Sequence, residues 1–565
     1  QASAARSWQP RPRYFTAFHV MYVIPNPWPR RLALLWAAAG GVACTANAGF
    51  EEVADETILL QLSLESSSSS NGGLQELDLT SPAAISARGR RKLEENLSPS
   101  SMLARARAMA GPPPGTNINE PFRQVMVNFG DAQYIGYFTI GHQLVGGIVD
   151  TGSYELVIFS SVCSTCGAAA EYNPWLSSSY SMGFLKTTHS YGSGETFSEE
   201  ADDLVSIGPF SDTNQYFWEV TKANMPILYS AAFQAIIGIG PPETPASDAW
   251  DATVKATGNV TDTLNQSQKV PQELLQSVSD NLEVAMEMSV KTPLLQTFNV
   301  SMFSMCFGKR PGSDGYFIWN DYSAYQYPNV FKRVAVVGRH SWSVWLNNVR
   351  IQGVDDAGQP NGTIHLGCST GCSAIMDSGT SLLAVPGFVK SKLESIMSRA
   401  NSDCSNLQDF PDLVFDMGGH TFSLPPDAYV AEVVGTVPNY LEGYVKIRPR
   451  QIPFEPRTRC QLLLMESYAS TTYGPLWILG VPFFRKYYTT FHIGKSHSER
   501  SLFVAPASKD CKPLTNQAAL YTSSRSTPRL KTAPNPSSVL PRVDASKIFL
   551  PPIARVAASK SFVRL

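Results

Sequence analysis

Two short motifs place a carboxylate at the end of an apolar run. The carboxylate is Asp150 in GGIVDTGSYELV (146–157) and Asp377 in SAIMDSGTSLLAVP (373–386). Two carboxylates brought within a few ångströms cannot both ionise cheaply, so they share one proton. The ionised one can take a proton from water as the water attacks a peptide carbonyl, while the protonated one hydrogen-bonds that carbonyl. Because the apparent pKa values of such a pair belong to both groups, the sequence leaves open which Asp is the base.

The two motifs belong to a longer repeat. QAIIGIGPP follows the first motif and LWILGVPFF follows the second, so each Asp has a downstream partner of two apolar residues and a glycine. Gly152 and Gly379 permit a tight turn that lets backbone N–H groups approach the carboxylates. Two homologous lobes, each supplying one Asp, explain this pattern. Two unrelated turns on the surface are the alternative.

Composition and length exclude several other classes of protein. A chain of 565 residues is too long for one ordinary core, so two or more domains are expected. The net charge of −2 gives no indication of nucleic-acid binding. Short β-type segments alternate with turns from about 120 to 235, which predicts a β-rich domain. A zincin is disfavoured because HExxH does not occur.

A segment near the start predicts entry into the secretory pathway. Arg30 and Arg31 precede a short apolar stretch that ends in small residues, as in a signal peptide cleaved after Ala48. A buried helix is the alternative reading of this stretch. No later segment approaches 18 apolar residues, so no transmembrane segment is expected in the mature chain. Cleavage leaves eight cysteines, and five sequons fit the same route: Asn96, Asn259, Asn265, Asn299 and Asn361.

Over residues 120–511 the chain resembles the pepsin-like aspartic proteases. DTGS (150–153) and DSGTS (377–381) match the two active-site motifs of that family, and HSYGSGE (189–195) resembles its flap. The resemblance implies a mainly all-β, bilobal pepsin-like fold, with two β-barrel-like lobes and a cleft between them for extended peptides.

The resemblance also implies roles for individual residues. The hydroxyls of Ser153 and Thr380 are expected to bond the outer oxygens of the two catalytic Asp side chains, and Thr151 and Ser378 to brace the lobes. An apolar preference beside the cut bond is expected. The complete set is Asp150 and Asp377 as catalytic residues, Thr151, Gly152, Ser153, Ser378, Gly379 and Thr380 around them, and Tyr191, Gly192, Ser193, Gly194, Phe233 and Ile236 in the flap and the substrate pocket.

Some positions depart from the family pattern. Val157 stands where the family usually has a Trp that hydrogen-bonds the flap Tyr, so the flap is expected to behave differently here. Val481 replaces a common Asp, and the turn before the first motif lacks the usual Pro-containing loop. None of these changes removes a catalytic group.

The resemblance also implies how the cysteines pair. Three bridges fall at family positions, and the fourth resembles an extra bridge of the beta-secretase-like branch; the pairs are Cys163–Cys166, Cys368–Cys372, Cys404–Cys460 and Cys306–Cys511. A thioredoxin-type CxxC motif and a zinc site are the rival readings. No metal and no cofactor are expected.

Domain boundaries follow from composition and from the resemblance. The expected order is an upstream segment and signal peptide (1–48), a propeptide (49–115), an N-terminal lobe (116–310) with a polar insertion (243–292), a C-terminal lobe (311–511) and a basic, flexible tail (512–565). In the propeptide, ETILLQLSL could pair with the body as a strand. Arg90, Arg91 or Lys92 could neutralise the dyad, but could instead form an exposed basic patch or a processing site.

Two functional hypotheses remain. The first is an acid endopeptidase made as a zymogen, monomeric, acting on extended peptides or proteins and not on nucleic acid, and either secreted or held in an acidic vacuole-like compartment. The alternative is a catalytically silent pepsin-fold protein that acts as a binder, storage protein or inhibitor.

Overall fold

The structure, a computed structural model, describes the chain from residue 120 onward. Within 120–565 it describes every residue outside the following ranges: 267–268, 355–359, 399, 402, 436, 443, 445–458, 516–539 and 564–565. The predicted signal peptide (1–48) and propeptide (49–115) lie outside the described residues.

Strands dominate the described residues. The first part of the chain forms β1 (Phe122–Phe129), β2 (Gln133–Ile140), β3 (Gln143–Asp150), β4 (Leu156–Phe159), β5 (Ser181–Tyr191), β6 (Gly194–Ile207), β7 (Phe210–Asn224), β8 (Ala235–Gly238), β9 (Met302–Cys306) and β10 (Gly315–Trp319). The remainder forms β11 (Lys332–Ala335), β12 (Ser343–Val354), β13 (Pro360–Gly367), β14 (Cys372–Met376), β15 (Leu383–Pro386), β16 (Asp412–Met417), β17 (His420–Leu424), β18 (Val430–Val434), β19 (Arg459–Leu462), β20 (Leu464–Ser467), β21 (Ser470–Thr471), β22 (Gly474–Leu479), β23 (Tyr487–His492), β24 (Ser501–Pro506), β25 (Arg542–Asp544) and β26 (Phe562–Val563).

Helices are fewer and mostly short. They are α1 (Thr244–Asn265), α2 (Gln272–Val290), α3 (Leu294–Thr297), α4 (Ser323–Gln326), α5 (Gly387–Met397), α6 (Pro426–Tyr429), α7 (Val481–Lys486) and α8 (Pro552–Ala557). Single 3-10 turns occupy Gly167–Ala169, Pro174–Leu176, Pro226–Ser230, Leu407–Asp409, Asn439–Leu441, His497–Glu499 and Ala545–Lys547.

Two large sheets organise these strands, and the predicted mainly all-β, bilobal fold is confirmed. One sheet has the order β11-β24-β23-β9-β10-β1-β2-β3-β8-β4-β7-β6-β5, and the other follows β17-β16-β12-β14-β22-β15-β20. The two lobes contact each other directly, because the Trp342 indole Nε1 donates a hydrogen bond to the Ile239 carbonyl across 3.0 Å.

The same four-strand arrangement occurs once in each lobe. In the N-terminal lobe the order is β3-β8-β4-β7, and in the C-terminal lobe it is β14-β22-β15-β20. Both sets have parallel, antiparallel and parallel pairings in that order. Residues of β8 and β14 are buried throughout, as expected for strands covered on both faces. The repeat seen in the sequence is therefore a repeat of topology.

The polar segment 243–292 consists mainly of two helices. α1 and α2 together cover most of it, and the Trp250 indole of α1 donates to the Ser289 hydroxyl of α2 across 2.8 Å. Lys291, after α2, forms ion pairs with Glu200 of β6 and Glu287. The segment is thus attached to the strand region of the N-terminal lobe.

The end of the chain is folded on the two lobes. β25 pairs with β18 in parallel, and β26 pairs with β21 in parallel. Residues 540–563 therefore do not form the flexible arm predicted over 512–565, and residues 516–539 of that arm lie outside the described residues. The prediction of a flexible arm was based on the basic residues of the tail. The apolar run IFLPPIARV (548–556) instead packs this part of the chain against the lobes.

Candidate active site

The two Asp residues lie at the ends of equivalent strands. Asp150 is the last residue of β3 and aligns with Gly238 of β8, and Asp377 follows β14 directly. The Asp377 amide donates to the Leu479 carbonyl of β22 across 3.1 Å. Both carboxyl side chains are fully buried. In each lobe a fully packed pair of parallel strands therefore delivers one carboxylate to the lobe boundary.

Each carboxyl group is held by its own turn. The Ser153 hydroxyl donates to Asp150 Oδ2 at 2.6 Å, and the Thr380 hydroxyl donates to Asp377 Oδ2 at 2.5 Å. Gly152 N and Gly379 N donate to the Oδ1 atoms of Asp150 and Asp377, at 2.9 and 2.8 Å. The expected hydroxyl contacts are thus present, and the backbone amides supply the second bond to each carboxyl group.

Thr151 and Ser378 join the lobes through reciprocal hydrogen bonds. Thr151 N donates to Ser378 Oγ at 3.0 Å, and Ser378 N donates to Thr151 Oγ1 at 2.9 Å. The Thr151 hydroxyl donates to the Met376 carbonyl at 2.7 Å, and the Ser378 hydroxyl donates to the Val149 carbonyl at 2.7 Å. Four bonds across the boundary fix the distance between the two turns.

Close approach across the boundary explains the two glycines. A Cβ at Gly152 would lie 2.6 Å from Asp377 Cγ, and a Cβ at Gly379 would lie 2.4 Å from Asp150 Oδ1. No real Cβ tolerates such distances, so each glycine makes room for the carboxyl group of the opposite lobe.

The pKa values of the two carboxyl groups differ in degree. Burial raises the pKa of Asp150 above its ordinary value, although hydrogen bonds from Asp377 and Ser153 oppose the shift. Burial, the charge of Asp150 and the hydrogen bond to Asp150 raise the pKa of Asp377 well above its ordinary value. The two carboxyl groups are therefore expected to share one proton, and their apparent pKa values belong to the pair.

The flap is a tight hairpin over this pair. Tyr191 ends β5 and pairs with Gly194 at the start of β6, so Gly192 and Ser193 form a two-residue turn. Gly194 has φ +138°, a conformation that other residues rarely adopt. Tyr191 is only 2% exposed. Burial and the charge of Asp150 raise the pKa of Tyr191 well above its ordinary value, so its hydroxyl stays protonated.

A tryptophan does lie beside Val157, but it comes from another strand. Trp218 of β7 is paired with Val157 in register, and its indole Nε1 donates to Glu155 Oε1 at 2.7 Å. The other oxygen of Glu155 lies 3.0 Å from His189 Nε2, at the base of the flap. Sequence reasoning missed this link between Trp218, Glu155 and His189, because strand pairing alone brings the three residues together.

The proposed pocket residues are also in place. Phe233 and Ile236 are both fully buried, and the Phe233 ring lies 6.0 Å from the Phe159 ring in an edge contact. Ser381, which follows Thr380, was missed as a site residue although it belongs to the DSGTS motif. Its hydroxyl donates to the Ala132 carbonyl at 2.8 Å.

The structure brings together all four expected cysteine pairs. The Cα–Cα distances are 5.5 Å for Cys163–Cys166, 5.5 Å for Cys306–Cys511, 5.3 Å for Cys368–Cys372 and 5.2 Å for Cys404–Cys460. Among the described residues, no group of three or more His, Cys, Asp and Glu side chains is placed to hold a metal ion. In the same part of the chain, every helix is too short or too polar to cross a membrane.

Comparison with known proteins identifies the family. The sequence model of the eukaryotic aspartyl protease family matches residues 133–499, so the chain belongs to that family. It is 27% identical to pepsin A of Bos taurus over 384 residues, which cover 66% of this chain and 85% of that protein. It is 28% identical to renin of Rattus norvegicus over 392 residues, which cover 66% of this chain and 80% of that protein.

Proposed function

We propose that the chain is an endopeptidase in which Asp150 and Asp377 activate a water molecule for peptide hydrolysis. The observation that carries this proposal is the pair of fully buried carboxyl groups, one from each lobe, whose pKa values are both raised. A single shared proton makes one group a base and the other an acid in the same site, as is general for an aspartic-protease dyad.

The reaction needs only groups that the site contains. The ionised partner of the Asp150–Asp377 pair takes a proton from the attacking water, while the protonated partner donates its hydrogen bond to the carbonyl oxygen of the peptide. The resulting gem-diol collapses when a proton passes to the amide nitrogen, and the C–N bond breaks to release the amine. Hydrogen bonds to the outer oxygens of the dyad keep both carboxyl groups oriented during these transfers.

Substrates are extended peptide segments with apolar side chains beside the cut bond. Tyr191, Phe233 and Ile236 belong to one buried apolar cluster beside the flap, and burial of apolar substrate side chains against them would favour binding. The flap amides of Gly192 and Ser193 can supply main-chain hydrogen bonds to a peptide strand.

Acid activity follows from the shared proton. Hydrolysis requires the pair to keep one proton, so the rate falls when the pH rises through the upper, raised pKa of the pair. The eight disulfide-bonded cysteines support synthesis in an oxidising secretory compartment. Synthesis as a zymogen, with residues 49–115 as the propeptide, completes the proposal.

Hydrolysis of casein by the purified chain at acid pH tests the proposal. Wild type is expected to cleave casein and to be inhibited by a statine-type peptide, whereas Asp150→Asn is expected to be inactive. Asp280→Asn in α2 is the matched control and should retain full activity. The Asp280 carboxylate accepts a hydrogen bond from Gln276 in the same helix. Equal hydrolysis by wild type and Asp150→Asn would exclude the proposed mechanism.

A second candidate, a catalytically silent binding protein, is favoured by one observation. Residues 549–551 of the chain lie against the flap and Ser381, where a peptide substrate would have to bind. A silent binding protein would cleave no peptide as wild type. Substitutions in residues 549–551 would not restore hydrolysis to it.

A further inference from the structure

The C-terminal segment makes backbone hydrogen bonds to the C-terminal lobe beside the dyad. Ser381 N donates to the Phe549 carbonyl at 3.2 Å, and Phe549 N donates to Ser381 Oγ at 2.9 Å. Ser381 is four residues beyond Asp377, so the same turn that holds the carboxyl group also holds Phe549. Both polar groups of the Phe549 backbone are therefore used by the active-site turn.

The next two residues bond to the flap in the same way. Leu550 N donates to Ser193 Oγ at 3.0 Å, and Ser193 N donates back to the Leu550 carbonyl at 3.1 Å. Gly192 N donates to the Pro551 carbonyl at 3.3 Å. Three successive carbonyls thus accept hydrogen bonds, the first from the C-terminal lobe and the next two from the flap of the N-terminal lobe, as for a peptide added to the edge of a strand.

The side chains of this segment fill the apolar space below the flap. Phe549 is fully buried, with its ring 6.1 Å from that of Tyr191 and 5.8 Å from that of Phe233. Leu550 is also fully buried, and a Cβ at Gly192 would lie 2.6 Å from Leu550 Cβ. The segment therefore occupies the apolar site proposed above for the substrate.

Anchors on both sides hold the segment in place. Before it, Arg542 N donates to Asp131 Oδ2 at 2.8 Å, and β25 is paired with β18. After it, Arg555 forms an ion pair with Glu195 of β6 at 2.8 Å, and Tyr468 N donates to the Ala557 carbonyl at 2.7 Å. Attachment at both ends gives the segment a high local concentration at the cleft.

We propose that residues 548–552 are a built-in pseudosubstrate that blocks the peptide cleft until the C-terminal segment is displaced. This proposal rests on the proposed function, because it assigns the segment to the substrate site of the same peptidase. A peptide substrate and the segment compete for the amides of Gly192, Ser193 and Ser381. Release of the segment, by competition or by trimming of the chain end, is then a step in activation.

The sequence of the segment explains why it is held without being an effective substrate. The Pro551–Pro552 bond follows the residues that are hydrogen-bonded to the flap. A proline ring fixes φ and leaves no N–H to form a hydrogen bond. α8 begins at Pro552, a favoured position for proline in the first turn of a helix. The chain therefore leaves the extended path directly after Pro551, so the following residues do not continue along a peptide-binding groove.

Three single substitutions test the proposal, each made in the full-length chain and assayed after acid incubation to release the proposed propeptide (49–115). Phe549→Ala removes the ring between Tyr191 and Phe233, and Arg555→Ala removes an exposed anchor without affecting the core. Lys560→Ala, at another exposed residue of the same segment, is the matched control. For each chain we would measure hydrogen exchange of the Gly192 and Ser193 amides and kcat/KM for an apolar peptide at acid pH, with circular dichroism as the folding check.

Phe549→Ala is expected to speed exchange of the flap amides and to raise kcat/KM roughly tenfold or more, mainly through a lower KM. Arg555→Ala is expected to raise kcat/KM about two- to threefold, since an exposed ion pair contributes little, and Lys560→Ala should match wild type. Should Phe549→Ala misfold, Arg555→Ala still decides the question.

Unchanged exchange of the flap amides in folded Phe549→Ala and in Arg555→Ala would show that the segment does not compete for the cleft, which overturns the proposal. Unchanged or lower kcat/KM despite faster exchange would overturn the inhibitory role. Faster exchange with no hydrolysis by any of the chains would instead contradict the peptidase function itself, so the two failures are distinguishable.

Discussion

The two halves of the active site share their topology but not their electrostatics. Asp150 and Asp377 stand at the same point of the same strand order, each with a glycine amide and one hydroxyl on its carboxyl group. Nevertheless, burial raises the pKa of both carboxyl groups, and a charge on one opposes ionisation of the other, so that only one is ionised at a time. Duplication thus produces a symmetric frame, and the shared proton makes the two sides chemically different.

A second difference concerns what each lobe presents to a peptide. The N-terminal lobe supplies the flap, whose amides can reach a peptide from one side, and the C-terminal lobe supplies Ser381 from the other. Residues 549–551 of the chain form hydrogen bonds with both the flap amides and Ser381. The catalytic turns are therefore symmetric, whereas the hydrogen-bonding groups on the two sides of the cleft differ. This difference allows the cleft to hold an extended chain in one direction.

Replacement of either dyad residue should produce the largest effect. Asp150→Asn and Asp377→Asn are each expected to lower kcat by roughly 10²- to 10⁴-fold, because each removes one partner of the acid–base pair. Assays of the purified variants with a fluorogenic peptide measure this loss, with Asp280→Asn as the control. Activity retained by one variant alone would show that the two halves are not a pair.

Adding a methyl group at the catalytic glycines should have the next largest effect. Gly152→Ala and Gly379→Ala each drive a Cβ into the carboxyl group of the opposite lobe, and a displacement of about 1 Å is enough for a loss of roughly 10²-fold in kcat. Gly258→Ala in α1, where a Cβ would meet no atom within 4 Å, should leave kcat unchanged and slightly stabilise the helix. A loss confined to one of the two catalytic glycines would break the equivalence of the halves.

The hydrogen bonds between the lobes should contribute to stability in a coupled way. Thr151→Val and Ser378→Ala are each expected to lower the free energy of unfolding by about 1–3 kcal/mol, because buried partners are left unsatisfied. Each substitution removes two of the four bonds. The double variant should cost less than the sum, since the two residues are in contact and the loss of one pair of bonds already loosens the other. Chemical denaturation measures these values, and Thr261→Val on α1 is the control because Thr261 is exposed there. Strict additivity would mean that the two residues do not act as one connection.

The dyad should also make stability depend on pH, with a smaller effect. Folding raises both carboxyl pKa values, so the stabilisation from the protonated forms is complete below the ordinary carboxyl pKa and is lost as pH rises through the folded values. Asp377→Asn removes this loss and is expected to gain stability over wild type between acid and neutral pH, on the order of 1 kcal/mol. Thermal melts across that range measure the difference, and a constant difference at every pH would contradict the raised pKa of Asp377.

The sequence predicts the parts of the site that local motifs control. The turns at Asp150 and Asp377, the reciprocal positions of Thr151 and Ser378 and the flap at Tyr191 follow from short segments whose residues are adjacent in the chain. The fold class follows from the repeat of the same pattern. These features require no knowledge of distant contacts beyond the pairing of the lobes.

Other features depend on contacts between distant parts of the chain. The neighbour of Val157 is Trp218 of β7, which no local pattern reveals. The raised pKa values of Asp150 and Asp377 depend on how deeply both carboxyl groups are buried. The path of residues 549–551 depends on packing against Tyr191 and Phe233, whereas the basic composition of the surrounding tail predicts a solvated arm.

The pH profile of kcat/KM for peptide hydrolysis tests the shared proton most directly. It should be measured for the full-length chain and for Phe549→Ala, in which the cleft is expected to be free. The predicted result is a bell-shaped profile in acid, with its two limbs set by the two apparent pKa values of the Asp150–Asp377 pair, and a kcat lower by roughly 10²- to 10⁴-fold in either Asp→Asn variant. Hydrolysis by either chain that rises steadily to neutral pH, or that stays near the wild-type rate in Asp377→Asn, would contradict the account.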